Sequence, residues 1–411
     1  MGKVVLTGAR VTDGRAAPEA MTVVVEGGLI AELRPGAAPA VAVGPEDRVV
    51  DLTGHLVVPG LIDAHTHLLM SGDINSYEKE LLKDGVPLRT LRAAAHARLA
   101  VDNGILTVRD VCTEGAGYAD VALREAIRTG VCEGPRILPS GPGISVTGGY
   151  LPQGFAPGIC VPTGCALVDG ADAARREVRQ QVAFGVSWIK VFADWFSTDA
   201  TTGEFRELPT FTPPELAAIC DEATRRGVKV AAHVTSDAGA RQAIECGAAS
   251  LEHLGALTQE TLDLAAKRAV VLVPTLSVVE NMLEMAVDEK KRDRAKTRID
   301  IARAAFVRAL ASGVKIALGT DIGAYPHAKG SRIELGYLVE YGMTERAALL
   351  AATRVAADLL RLPHTGAIDV GLAADLCAFR GETIAASVTG AQPSLVVQGG
   401  RVVRDRLNAA R

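Results

Sequence analysis

The stretch Gly60-Leu-Ile-Asp-Ala-His65-Thr-His67 ends an apolar run with two histidines spaced two residues apart. In an extended chain that spacing sends both imidazoles to the same side, because side chains alternate with period two. Two imidazoles leaving one strand end can hold one metal ion, and chance can also place such a pair on a surface. The decision rests on where the other polar residues fall relative to the apolar runs.

Eight strand candidates occur in order, at 56–64, 105–111, 136–140, 188–193, 229–234, 250–254, 270–275 and 315–319. Most are followed by an Ala-, Leu-, Glu- and Arg-rich stretch with helical spacing. Thr212-Pro-Pro-Glu215 opens one of these helices with capping-box residues and early prolines. Such alternation predicts an α/β chain, and eight units fit a (β/α)8 TIM-like barrel. An open doubly wound sheet is the alternative, but no glycine-rich phosphate turn follows the first strand. Short β-branched runs near Val4, Val23 and Val49, and again near Leu376 and Leu395, predict a small β-sandwich module built from both termini. The expected organisation is a composite module of 1–58 plus 363–411 attached to a catalytic barrel of 59–362.

Placed on those strands, the polar residues form a pattern. Lys190 lies inside the apolar run Trp188-Ile-Lys-Val-Phe192, where an amine is costly unless neutralised, paired or used. His233 ends the fifth strand, His253 the sixth and Asp321 the eighth. In a parallel barrel all strands point the same way, so these groups and His65 and His67 gather on one rim. Each has an ordinary reading alone: a satisfied core histidine, a helix cap, a snorkelling lysine. Six such residues at strand ends are better explained by a shared metal centre.

These segments, with Gly319-Thr-Asp321, resemble the amidohydrolase superfamily, in its dinuclear carboxylated-lysine form. The resemblance covers nearly the whole chain and includes Gly366–Asp375, which is similar to the family's return into its β module. Thr107–Asp110, Gly134–Ile137, Ser145–Gly149 and Gly342–Thr344 resemble the branch of imidazolonepropionase-like proteins, metal-dependent prolidases, carboxypeptidases and ochratoxin-type amidases. The chain departs from the prolidase-like pattern at Tyr150, where a histidine is usual, and at Val234-Thr235, where an aromatic residue is usual. Those positions are associated with holding a substrate carboxylate.

The resemblance implies two divalent ions, zinc by default, one on His65, His67 and Asp321 and the other on His233 and His253. Lys190, as N6-carboxylysine formed with CO2, would bridge them. It further implies hydrolysis of an amide or peptide-like C–N bond by a metal-bridging hydroxide, with Asp321 as the catalytic proton carrier. N-acyl amino acids, dipeptides and aryl amides are the expected substrates. Cyclic amide or lactone hydrolysis on the same site is the alternative, and a non-catalytic metal- or ligand-binding relative is a further one. Deaminases of the superfamily generally lack the bridging lysine.

Substrate contacts are expected from Tyr150, Trp195 and His327, with Phe155 and Phe196 as further apolar candidates. Phe196 is expected to pack against a neighbouring loop. Arg109 and Asp110 are expected to form a structural ion pair or a turn cap, and Glu252 to point away from the site by strand alternation. The Gly- and Pro-rich stretch 141–170 reads as a pocket-shaping loop whose Cys160 and Cys165 are ordinary thiols. The stretch 280–308 reads as one long charged helix.

Composition narrows the partners. Of 411 residues, 48% are hydrophobic and 4% aromatic, and the net charge is −4. With no basic block and few stacking rings, a nucleic-acid partner is not expected. No apolar run reaches the ~20 residues of a membrane span, and the start lacks a signal peptide's apolar core. Seven scattered cysteines read as reduced thiols. A cytoplasmic protein acting on a small-molecule substrate, assembled as a homo-oligomer as relatives commonly are, is the expectation.

Overall fold

The computed structural model describes residues 2–36, 41–156, 158–198, 201, 205–390 and 392–407. They divide into two compact units. The first comprises Met1–Asp63, Arg98–Thr107 and Gly330–Arg411. Its sheet runs Arg401–Asp405, Leu395–Gln398, Leu376–Arg380, His55–Pro59, Val4–Val11, Glu19–Glu26 and Leu29–Pro35, with Arg48–Asp51 parallel to Val4–Val11. N- and C-terminal strands therefore share one sheet, paired antiparallel at Cys377↔Val58. Leu6, Val23, Ile30, Leu52, Leu376 and Val397 lie in its core. A β-sandwich module drawn from both termini is consistent with this arrangement.

The first strand candidate is two strands, not one. His55–Pro59 belongs to the terminal sheet, and Leu61–Thr66 joins Ile105–Asp110 and Arg136–Pro139 in a second sheet. The break is at Gly60, where an added Cβ would meet the Leu106 side chain at 2.6 Å. Only a residue without a side chain lets the backbone change sheets there.

The second unit comprises Ala64–Ala97 and Val108–Lys329. Its six-stranded parallel sheet runs Cys165–Leu167, Gly143–Ser145, Trp188–Phe192, Lys229–His233, Ser250–Glu252 and Val271–Val273. Helices such as Ala171–Ala183, Pro213–Arg225, Asp237–Cys246 and Gln259–Lys267 separate these strands. At Thr212 the Glu215 carboxylate accepts the backbone N–H at 2.8 Å, so the expected helix start is present.

The stretch 315–319 does not form a continuous strand. It contributes one parallel bridge, Leu272↔Ile316, and Thr66 bridges to Ile322 beyond it. Between these, Ala64 N donates to Leu318 O at 2.9 Å, and Thr320 and Asp321 both donate to His65 O. Two successive amides on one carbonyl turn the chain out of extended geometry. The charged stretch 280–308 is likewise two helices, Leu276–Glu284 and Glu289–Ser312, because Asp288 caps the second by accepting from Lys291 N at 2.7 Å. Among the described residues, no helix is long and apolar enough to cross a membrane.

Gly319 sits where the ends of strands Leu61–Thr66 and Val271–Val273 crowd it. A Cβ there would lie 2.2 Å from Val273 Cγ1 and 2.7 Å from His65 Cβ. Gly319→Ala should therefore lower thermal stability by about 1–3 kcal/mol through overpacking. A melting midpoint equal to that of the parent protein would show that the strand ends can part freely.

Candidate metal centre

Parallel register brings the ends of three strands level. Phe192 pairs with His233, and His233 with Glu252. Lys190 lies two residues before Phe192 on the same strand face, buried at 1% exposure. His253 follows Glu252 with φ 74°, and Asp321 has φ 60°. Both are left-handed conformations that cost a non-glycine residue on the order of 1–3 kcal/mol. Thr275, Cys112 and Glu114 near the same strand ends also have positive φ.

That left-handed turn corrects the expectation for Glu252. Alternation holds only while the chain is extended, and it stops at His253, so Glu252 and His253 both face the centre. Glu252 Oε2 lies 2.8 Å from His65 Nδ1, and Glu252 Oε1 accepts from Arg109 Nη2 at 2.7 Å. Arg109 is thus paired with Glu252 and not with Asp110. Asp110 is the turn cap, accepting from Leu68 N at 2.8 Å. Burial would raise the Glu252 carboxyl, but Arg109 and His65 hold it well below the carboxylate range.

Other groups fix the remaining rings. His67 Nδ1 donates to Cys112 O at 3.0 Å, and His253 Nδ1 lies 2.8 Å from Thr275 Oγ1. With Nδ1 engaged, the Nε2 atoms of His65 and His67 lie 3.4 and 3.0 Å from Asp321 Oδ1. Ring centroids are 5.3 Å apart for His65–His67, 4.9 Å for His65–His253 and 4.5 Å for His233–His253. Ligating atoms of His65, His253 and Asp321 all fall within 4.8 Å of one another. Lys190 lines one cavity with His67, His233, His253 and Asp321.

The donor chemistry fits divalent cations. Burial, then the Lys190 charge, pushes His233 well down; burial, then His233, does the same for His253. Both are held as the neutral imidazoles that metals bind. Burial would raise Asp321, but hydrogen bonds from His65 and His67 keep it well below its ordinary value. Burial lowers His67, yet Asp321 more than reverses this and brings it to about 9, so an ion binding here displaces a proton. Burial lowers Lys190, against the opposing pull of Glu252 and Asp321.

The cavity has a volume of about 300 Å³. Tyr150, Phe192, Trp195 and Phe196 form an aromatic wall, facing Val278, Met282 and other aliphatic groups. Phe196, expected to pack away, lines the cavity. Tyr150 stacks on Phe192 at 3.8 Å and donates its hydroxyl to Glu114 Oε2 at 2.9 Å, beside a second bond from Tyr77. Glu114 carried no sequence signal: it stands in a loop beyond strand Ile105–Asp110, and only the fold reveals its two phenols. His327 is not among the lining residues. It stacks on His96 at 3.6 Å, with Nε2 3.3 Å from Met70 O. Phe155 is exposed and also outside the lining. Cys160 is exposed, Cys165 buried, and both are free thiols.

Known proteins resemble this chain in sequence and fold. The family model for the amidohydrolase family matches residues 56–403. Ochratoxinase of Aspergillus niger is 31% identical over 350 residues, spanning 79% of this chain and 70% of that protein. Imidazolonepropionase of Anaeromyxobacter dehalogenans is 28% identical over 395 residues, spanning 88% and 85%. The crystal structure of a Xaa-Pro dipeptidase with bound methionine superposes with a TM-score of 0.86 at 30% identity, over 98% of this chain and 100% of that one. The chain belongs to the amidohydrolase family and is a hydrolase acting on carbon–nitrogen bonds.

Proposed function

We propose that the chain hydrolyses an amide or peptide-like bond of an N-acyl amino acid, dipeptide or aryl amide at a dinuclear centre. The observation that carries this reading is the convergence of three imidazoles, Asp321 and buried Lys190 on one cavity, with the His65 ring packed against two of those imidazoles. His65, His67 and Asp321 would hold one ion, and His233 and His253 the other. Lys190, carboxylated on Nζ, would join them. Its apolar strand favours the neutral amine that captures CO2, and the carbamate so formed is an anionic two-oxygen ligand. Mixed imidazole and carboxylate donors suit zinc. Such ions supply a water acidified towards neutral pH and a polarised carbonyl.

The protein's own groups do the rest. Asp321 accepts a proton from the attacking water on a carboxylate oxygen and returns it to the departing nitrogen. Glu252, backed by Arg109, keeps the His65 ring turned with Nε2 inward. Tyr150 and Trp195 offer flat apolar surface to the group beside the scissile bond and exclude water from it. His327, turned onto His96, belongs to the packing behind His67 and not to the substrate wall. Around this centre we read a closed (β/α)8 barrel of 59–362 with the composite module of 1–58 plus 363–411. Seven free thiols fit a cytoplasmic setting.

Metal analysis of protein purified without chelator should find about two divalent ions per chain, and Lys190→Ala or His233→Ala should abolish amide hydrolysis. A metal-free protein that still cleaves amides would overturn the reading. Exposure to 13C-bicarbonate should give a carbamate carbon resonance absent from Lys190→Ala; a free amine in active, metal-loaded protein would remove the bridging role. Glu252→Gln should weaken metal affinity about 10–100-fold by loosening His65, read by competition with a chelator.

A further inference from the structure

Beyond the aromatic wall the cavity acquires a charge pattern that the hydrolytic centre does not use. Outside the centre to which Lys190 belongs, its lining carries Arg298 on helix Glu289–Ser312, beside Glu207. Arg298 also lines an outer vestibule of about 1000 Å³, together with Lys290, Lys291 and Arg294. The vestibule's acidic side chains are Glu207 and Asp293, so its balance is positive. Lys290 and Lys291 stand in the first turn of that helix, after its Asp288 cap and Glu289. Cations there oppose the helix dipole.

Arg298 has spare capacity. Its Nη2 meets Glu207 Oε1 at 3.3 Å, and the side chain keeps 41% exposure. A guanidinium carries five N–H donors in a fork that matches a carboxylate. Glu207 sits opposite Phe196 in the hairpin formed by Asp194–Thr198 and Phe205–Pro209. The Thr235 hydroxyl, near Glu207, donates to Asp194 at 3.2 Å.

We propose that Arg298 anchors a substrate carboxylate, so that the enzyme takes amides whose scissile bond lies at the histidine cluster and whose anionic end reaches Arg298. The proposal rests on the amide-hydrolase reading above and narrows it to acidic substrates, N-acyl amino acids with a free carboxylate. The basic vestibule steers such anions inward. Arg298 is a specificity-determining residue here and takes no part in bond cleavage.

The test compares an N-aroyl amino acid with its uncharged carboxamide in the metal-loaded enzyme. The parent enzyme should favour the acid in kcat/KM by at least about tenfold, the usual worth of a charge-assisted bond. Arg298→Gln should collapse that ratio through the KM of the acid, and Arg298→Lys should restore part of it. Binding of the same acid, followed by tryptophan fluorescence, should weaken about tenfold or more in Arg298→Gln whether or not turnover occurs. That readout separates the two readings: binding that depends on Arg298 without turnover would count against amide hydrolysis alone. Equal preference for acid and carboxamide in the parent, a preference for a cationic analogue, or equal losses on both substrates in Arg298→Gln would overturn the anchor.

Discussion

A fully buried carboxylate, Glu252, held between a guanidinium and an imidazole, organises the centre of this protein. Arg109 and His65 come from two different strands, and Glu252 joins them on a third. Burying such charges is costly, and the cost is offset only when geometry and extra hydrogen bonds are good. Here Arg109 also donates to Ala64 O at 2.6 Å and to Ser250 Oγ at 3.0 Å, and it lies over the Trp188 ring at 4.4 Å. The network commits each charged group in a space where an uncommitted one would be strongly destabilising. It also settles which nitrogen of His65 remains for chemistry.

Around that network the backbone leaves extended geometry. Left-handed residues at Cys112, His253, Thr275 and Asp321 each aim a group that a regular strand would point elsewhere. The Cys112 carbonyl holds His67, and the Thr275 hydroxyl holds His253. Strain of this kind persists only where surrounding contacts over-determine it. The crowding at Gly319 and the double bond onto His65 O show how little room is left for relaxation.

The cavity changes character along its length. Near the histidines it is aromatic and aliphatic, so charge on a reacting group is felt strongly; towards solvent it is lined by cations of one helix. Glu114 ties Tyr150 and Tyr77 together at the inner end, while Glu207 meets Arg298 at the outer. On the reading proposed above, reaction and recognition fall at different ends of one space.

Several features were legible before the fold was known. Period-two alternation gave His65 and His67 a common direction, and an amine inside Trp188–Phe192 marked Lys190 as costly. Parallel strands sharing one polarity placed His233, His253 and Asp321 beside them. Local rules of this kind operate over a few residues, so the sequence by itself singled out the candidate donors. Glu252 was misread because alternation ends where His253 turns left-handed, and Arg109 because its partner lies 143 positions away. Glu114, Phe196 and Arg298 likewise gain their settings from loops and a helix brought over the strand ends. Only the tertiary structure decided which groups support the candidate donors and which line the cavity, because contacts between distant segments follow from packing and not from spacing along the chain.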